Sequence, residues 1–124
     1  MLFCCNGGDY LKEQQVSSDL IRGHIDAMIL RVLSLKDSYG YEILKSIQVL
    51  SNGEYELKEP TLYTSLKRLE KSQMIESYWG EESHGGRRKY YHITPRGVEE
   101  YQHSLEEWKK ARRVIDLLLG GEEE

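Results

Sequence analysis

Apolar residues recur at helical spacing near the start of the chain and predict a first helix, from Ser18 or Asp19 to about Leu35. Ser18 or Asp19 can cap this helix, because a short polar side chain accepts a hydrogen bond from a backbone N–H group of the first turn. Apolar residues cover more than one face of the helix, which predicts a central position in the fold. These residues are Leu20, Ile21, Ile25, Met28, Ile29, Val32 and Leu33.

Two further helices follow the first one. The second is expected from Tyr39 to about Ser51, where an Asn-Gly pair favours a left-handed helix end. Pro60 suits the first turn of the third helix, since proline lacks the N–H group that has no partner there, so Lys58 or Glu59 should be the entry to this helix, which should reach about Ser72. The apolar faces comprise Ile43, Leu44, Ile47 and Leu50 on the second helix, and Leu62, Leu66 and Leu69 on the third.

After Met74 the apolar period changes from 3.6 to about 2, which is typical of strands. Two alternating segments on either side of a glycine-containing turn at residues 83–86 predict a β-hairpin. Thr94 and Pro95 then suit the cap and first residue of a long final helix, ending near Leu119. Three helices, a hairpin and a long helix predict a mostly α fold with a small β-hairpin: a winged helix-turn-helix with a C-terminal helix.

Composition excludes several classes of protein. No apolar run approaches the roughly 18 residues that a bilayer span needs, and the start of the chain lacks a secretory pattern, so we expect a cytoplasmic protein without membrane contact. Cys4 and Cys5 are adjacent, which suits neither an ordinary disulfide loop nor a zinc site. The four histidines fall on different elements, and no catalytic set or phosphate loop is evident. The sequence therefore predicts no enzyme, cofactor or metal site.

Charge is strongly segregated along the chain. The overall net charge is −4. Residues 1–57 carry a net charge of −3, residues 58–96 carry +3, and residues 97–124 carry −4. The local value matters for a polyanionic partner, because charges in solvent more than roughly 8 Å away are largely screened at physiological salt. The basic middle segment therefore keeps nucleic acid among the expected partners.

The third helix and the hairpin tip hold most of this basic charge. The face opposite the leucines of the third helix combines cations with a hydroxyl, and Thr61, Tyr63 and Ser65 should lie on its flanks. On charge alone, solvated surface charge explains the helix face better, but the position of this helix after a helical pair and before the hairpin favours double-stranded DNA as the partner. The cations would then contact phosphates, and the hydroxyls base edges or sugar oxygens. The expected DNA-contacting residues are Thr61, Tyr63, Thr64, Lys67, Arg68, Lys71, Arg87, Arg88 and Lys89.

The final helix carries an apolar heptad seam, interrupted only by Arg112. An isolated helix of this length cannot leave such a seam in water, so we expect a homodimer in which the first and last helices associate across a two-fold axis. Trp108 either packs in that interface or lines a cavity in which its ring stacks on a flat aromatic ligand. The expected interface residues are Val98, Tyr101, Leu105, Trp108, Ile115 and Leu119.

Three segments together resemble the PadR family of bacterial transcriptional regulators. They read GYEILKSI on the second helix, EPTLYTSLKRLEKSQMIESYW through the third helix and first strand, and GGRRKYYHITPRG through the hairpin. The resemblance extends from about Asp19 to Leu119 and is to the small members with a single C-terminal helix, which include multidrug-sensing repressors. It implies a homodimer that binds an inverted repeat and represses transcription.

The same resemblance implies a ligand site. Trp108 matches the tryptophan that sandwiches planar aromatic ligands in the drug-sensing members. This chain departs from their pattern one turn later, where it has Arg112 instead of an acidic residue, and Arg31 occupies the facing position of the first helix. We therefore expect a neutral or anionic planar aromatic ligand rather than a cationic one. The expected ligand-binding residues are Ala27, Arg31, Leu105, Trp108 and Arg112.

These expectations divide the chain into four parts. Residues 1–17 form a flexible N-terminal arm, residues 18–94 the winged helix-turn-helix DNA-binding domain, residues 95–119 the dimerisation helix, and residues 120–124 an acidic tail. The predicted function is a ligand-responsive transcriptional regulator, with repression as the family's usual sign. The alternative is a winged-helix module that contacts only proteins through its third helix.

Overall fold

The computed structural model describes residues 16–81 and 86–121. Residues 1–15 of the predicted arm, with Cys4 and Cys5, most of the predicted hairpin turn and the end of the acidic tail lie outside the described residues. The elements, in chain order, are α1 (Ser18–Ile21), a 3-10 turn (Arg22–His24), α2 (Ile25–Leu35), β1 (Ser38–Tyr39), α3 (Gly40–Leu50), α4 (Glu59–Lys71), β2 (Ile75–Trp79), β3 (Lys89–Ile93) and α5 (Pro95–Leu119).

The prediction of one continuous first helix was wrong, because the 3-10 turn interrupts it between α1 and α2. Gly23 lies in the middle of this turn, where its low helix propensity weakens the α-helical hydrogen-bond ladder. The N-cap also differs from the prediction. Ser17 takes that position, with extended backbone angles, and its hydroxyl oxygen accepts a hydrogen bond from the Asp19 N–H at 3.2 Å.

The sheet has three strands rather than the two of the predicted hairpin. β1 pairs antiparallel with β3, placing Ser38 opposite Tyr91 and Tyr39 opposite Tyr90, so the strand order is β1-β3-β2. The sequence suggested only a polar helix end here, since two residues are too few to reveal a period of two. β1 joins the start of α3 to the wing, which is the β2–β3 hairpin.

The core lies between α2, α3, α4 and the inner face of the sheet. The leucines predicted on the inner face of α4 are buried, as are two isoleucines on α3 and Leu57 in the extended segment before α4. Ser65, which was predicted on a flank of α4, is also buried, a correction to the expected face. The buried apolar residues of the core are Ile25, Ile29, Leu30, Val32, Leu33, Ile43, Ile47, Leu57, Leu62, Leu66, Leu69, Ile75, Tyr91 and Ile93.

Local signals set the ends of α3 and α5 as predicted. α3 stops before Asn52 and Gly53, both of which have positive φ angles. Thr94 is the N-cap of α5: its hydroxyl oxygen accepts a hydrogen bond from the Gly97 N–H at 3.1 Å, and the hydroxyl donates one to the Gln73 carbonyl at 2.8 Å. Thr94 therefore caps α5 and anchors its start to the turn before β2. Within one chain, α5 packs against α2.

The architecture is the winged helix with a long C-terminal helix that the sequence predicted. No helix in the described ranges is both long and apolar enough to span a membrane. Among those same residues, no three histidine, cysteine or acidic side chains come together in a way that could hold a metal ion.

Candidate nucleic-acid interface

α4 presents an exposed polar face that is opposite its leucines. Pro60 lies in the first turn and Lys58 precedes the helix with extended backbone angles. The Thr64 hydroxyl donates a hydrogen bond to the Pro60 carbonyl at 3.0 Å. Lys67 and Lys71 are exposed, and neither forms an ion pair with any described residue. Both ammonium groups therefore remain available to an anionic partner.

The two flanks of α4 contact the rest of the domain. On one flank the Tyr63 hydroxyl lies over Gly40 so closely that a β-carbon at Gly40 would overlap it. On the other flank Arg68 reaches Asp26 of α2, with Nε to Oδ2 at 3.0 Å and Nη2 to Oδ1 at 2.7 Å. The side chains of these flanking residues thus contact α3 and α2, which fixes how the polar face of α4 is presented.

Arg68 differs from the other predicted DNA-contacting residues of α4. Its guanidinium also donates a hydrogen bond to the Ser65 hydroxyl oxygen at 3.1 Å. The hydrogen bonds to Asp26, together with the charge of that carboxylate, raise the pKa of Arg68. The sequence grouped Arg68 with Lys67 and Lys71 because helical spacing places them near one another, but spacing cannot reveal an acidic partner 42 residues earlier.

The basic residues of the wing lie over aromatic rings. The Arg87 guanidinium lies 5.7 Å from the centre of the Trp79 ring. Arg88 lies 4.7 Å from the Tyr39 ring centre, and the Lys89 ammonium lies 5.7 Å from that of Tyr91. A cation over a ring face is held in place electrostatically while its N–H groups can still point elsewhere. All three cations are exposed.

The wing and α4 approach each other at residues 39 and 40. Arg88 of the wing lies over Tyr39, and Tyr63 of α4 lies over the adjacent Gly40. Tyr39 also stacks edge-on against Tyr90 of the wing, with ring centres 5.4 Å apart. One predicted DNA-contacting residue of α4 and one of the wing, Tyr63 and Arg88, therefore contact adjacent residues at the start of α3.

A cluster on the outer side of the sheet was missed by the sequence. The Tyr78 hydroxyl donates a hydrogen bond to one oxygen of Asp37 at 2.6 Å, and His92 Nδ1 lies 2.9 Å from the other oxygen. Burial raises the pKa of Asp37, but the hydrogen bonds from Tyr78 and His92 and the charge of His92 outweigh it, so the pKa is lowered overall. The partners are 41 and 55 residues from Asp37, and no local pattern links them.

Replacing Asp37 by asparagine should lower the free energy of unfolding at neutral pH but much less in strong acid. The lowered pKa means that the carboxylate stabilises the fold above its ordinary pKa of 3.8, and that this contribution is lost as the pH falls through the lower folded value. The expected loss is at most about 1 kcal/mol, because solvent screens such partly exposed groups. Urea unfolding of the wild type and the variant across this pH range measures the loss. A difference in the free energy of unfolding that does not change with pH would contradict the prediction.

The predicted seam of α5 divides into two parts in a single chain. Tyr101 packs against the core and Leu105 is half-buried, while Ile115 and Leu119 are exposed. Leu118, which was not assigned to the seam, is 79% exposed and Leu119 is 80% exposed. In the first half of α5 Tyr101 therefore contacts its own domain while Val98 is 37% exposed, and the second half leaves an apolar surface in water.

Trp108 lies between these two parts, and its exposed fraction is 41%. Its ring meets that of His24 edge-on, with ring centres 4.9 Å apart and planes at 69°. This contact joins α5 to the 3-10 turn of the same chain and was not foreseen from the sequence. Of the other predicted ligand-binding residues, Ala27 and Leu105 are half-buried, whereas Arg31 and Arg112 are exposed.

Comparisons with known proteins agree with this architecture. Residues 29–103 match the Transcriptional regulator PadR-like family. A transcriptional regulator from Clostridium thermocellum is 48% identical, with a TM-score of 0.76 over 82% of this chain and 95% of its own. A PadR family transcription regulator from Clostridium difficile is 42% identical, with a TM-score of 0.67 over 77% of this chain and 98% of its own.

A third relative is longer than this chain. The transcriptional regulator YqjI of Escherichia coli is 33% identical over 98 residues, which cover 74% of this chain. The same residues cover 45% of YqjI, so the similarity concerns less than half of that protein.

Proposed function

Because the chain belongs to the PadR-like family of transcriptional regulators, whose members bind DNA, we propose that it is a repressor that binds an inverted repeat as a homodimer. The main support for DNA binding is the arrangement of side chains from α4 and the wing around Gly40. There Tyr63, on the flank of the exposed lysine face of α4, and Arg88 of the wing contact the adjacent residues Gly40 and Tyr39 at the start of α3. In winged helices the third helix of the motif, which is α4 here, enters the major groove, and the wing reaches the neighbouring backbone.

The exposed apolar end of α5 supports the homodimer. Large contiguous apolar surface is rare on soluble monomers, and Leu118 and Leu119 lie with Ile115 on the last turns of a 25-residue helix. A second copy of α5 would cover this surface along the heptad seam. Sedimentation at micromolar concentration tests the assembly, and a monomer there would contradict it. In the dimer, half-sites about 34 Å apart, or at multiples of that spacing, would be bound.

Trp108 supports a ligand response. Its partly exposed indole has Arg112 one turn further along α5, and we place Arg31, Ala27 and Leu105 around the same site. An aromatic surface with arginines suits a neutral or anionic planar aromatic compound, since guanidinium groups bind carboxylates strongly. Binding of such a compound between the subunits would release the DNA.

The ligand class is tested by tryptophan fluorescence. The chain has two tryptophans, so Trp79→Phe leaves Trp108 as the single emitter. Titration with a naphthalene carboxylate should quench it, and the planar cation proflavine should quench it more weakly. Trp108→Phe serves as the matched control, because it removes the response while Trp79 remains. Tight quenching by proflavine alone would contradict the anionic assignment.

The DNA-binding part is tested by selecting bound duplexes from a random pool and measuring affinity against salt. With six to eight phosphates neutralised by a dimer, log affinity should fall with log salt at a slope of about −6, since each neutralised phosphate releases condensed counterions. A slope near zero, or no enrichment of any sequence, would contradict the proposal. Repeating the selection with the naphthalene carboxylate present tests release.

A further inference from the structure

The contact between Arg68 and Asp26 joins α4 to α2 in a defined orientation. Both carboxylate oxygens of Asp26 are used, one by Nε and one by Nη2 of the guanidinium, and Nη2 also donates to Ser65 of the same helix. Such a two-point contact between planar groups fixes the angle between them as well as the distance. The side chains are 55% and 36% exposed, so solvent screening leaves little for the pair to add to stability.

α2 is the element against which most of the domain packs. It contacts α3, α4, α5 and β3, and its buried residues form a large part of the core. Asp26 lies in the first turn of α2, two residues after His24, whose ring meets Trp108. Asp26 therefore fixes the position of Arg68 relative to α2, the helix that contacts α3, α4, α5 and β3.

Arg68 lies on the opposite flank of α4 from Tyr63. The two flanking contacts, to Asp26 and to Gly40, are made by separate elements, α2 and α3. Together they restrain rotation of α4 about its axis. The lysines between them, Lys67 and Lys71, form no ion pair with any described residue. The cations of α4 therefore differ in their surroundings, although the sequence presents them as one set.

We infer that Asp26 and Arg68 are positioning residues for DNA recognition: the pair sets the angle of α4 in the major groove, and Arg68 stays on Asp26 instead of neutralising a phosphate. The inference rests on the proposed DNA binding and assigns Arg68 a role other than the one helical spacing suggested. A competing arrangement would have Arg68 leave Asp26 when DNA binds. The two arrangements predict different numbers of counterions released when the Arg68 variants bind DNA.

The salt dependence of DNA binding separates a positioning role from a phosphate contact. Arg68→Gln should weaken binding to the selected duplex about tenfold, as expected for loss of a charge-assisted pair, with the slope of log affinity against log salt unchanged. Lys67→Gln is the matched control one residue away, and in a dimer it should reduce the magnitude of that slope by about 2. A reduced slope for Arg68→Gln would overturn the inference.

Two further variants address the pair itself. Arg68→Lys keeps the charge but loses the two-point geometry, so it should weaken binding nearly as much as Arg68→Gln. Asp26→Asn should also weaken binding, and the double variant Asp26→Asn with Arg68→Gln should be no weaker than either single one, because both changes break the same contact. Additive losses, wild-type binding by Arg68→Lys, or tighter binding by Asp26→Asn would each overturn the inference.

The controls distinguish this inference from the proposed function. If the wild-type chain and Lys67→Gln both lack salt-dependent DNA binding, the proposed function fails and the inference with it. If Lys67→Gln reduces the slope and Arg68→Gln reduces it equally, DNA binding stands and only the positioning role fails. Circular dichroism and urea unfolding of each variant verify that the helices are intact, which the partial exposure of the pair leads us to expect.

Discussion

Replacing both Lys67 and Lys71 by glutamine is expected to weaken DNA binding by roughly a hundredfold to a thousandfold at physiological salt, because a dimer would lose four phosphate contacts. Neither lysine has an ion-pair partner within the described part of the chain, so its removal should leave the fold intact. The magnitude of the salt slope should fall by about 4. Fluorescence anisotropy with the selected duplex at several salt concentrations measures both quantities.

A matched control removes the same charge elsewhere. Lys109 and Lys110 lie on α5 and are exposed, and Lys109→Gln with Lys110→Gln changes the net charge by the same amount. We expect this variant to bind within about twofold of the wild type, because only charges close to the phosphates release counterions. Equal losses in the two variants would indicate attraction by overall charge and would contradict recognition through α4.

Replacing Gly97 by alanine is expected to lower the free energy of unfolding by about 3 kcal/mol, from overpacking together with a disturbed helix cap. A β-carbon there would overlap the Met74 carbonyl oxygen and lie 2.7 Å from Cγ1 of Ile93. The Met74 carbonyl already accepts the Thr94 N–H at 3.1 Å, so it cannot move without disturbing the start of α5. Alanine favours helices over glycine by only about 1 kcal/mol, which is too little to compensate.

Gly40→Ala is the control for this prediction. Its β-carbon would overlap only the end of the Tyr63 side chain, which can rotate away, so the loss of stability should be below about 1 kcal/mol. Urea unfolding of both variants measures the difference. Equal stability of Gly97→Ala and the wild type would show that the start of α5 can shift without cost and would contradict the prediction.

Much of the fold could be predicted because local signals set the helix ends. Pro60 and the Thr94-Pro95 pair mark the starts of α4 and α5, and Asn52-Gly53 marks the end of α3. The break between α1 and α2 and the two-residue strand β1 were missed. Each is too short to show a period, and pairing with β3 defines β1 only in three dimensions.

The candidate interface was predicted in part for a similar reason. Periodicity indicates which side of α4 faces away from the core, and so it found Lys67 and Lys71. It cannot indicate a partner in another element, so it missed that Asp26 holds Arg68 and that Asp37 binds Tyr78 and His92. It also placed Ser65 on a flank, although this residue is buried. A small serine fits beneath the helix where spacing alone suggested a surface position.

The flanks of α4 hold the helix, while the residues between them face outward, and this separation bears on how such a regulator could acquire a new target. Substitutions at Thr64, Lys67 and Lys71 would change the surface that we propose contacts DNA without touching the contacts to Gly40 and Asp26. That surface could therefore diverge during evolution, or be redesigned in a library of variants, while the scaffold beneath stays constant.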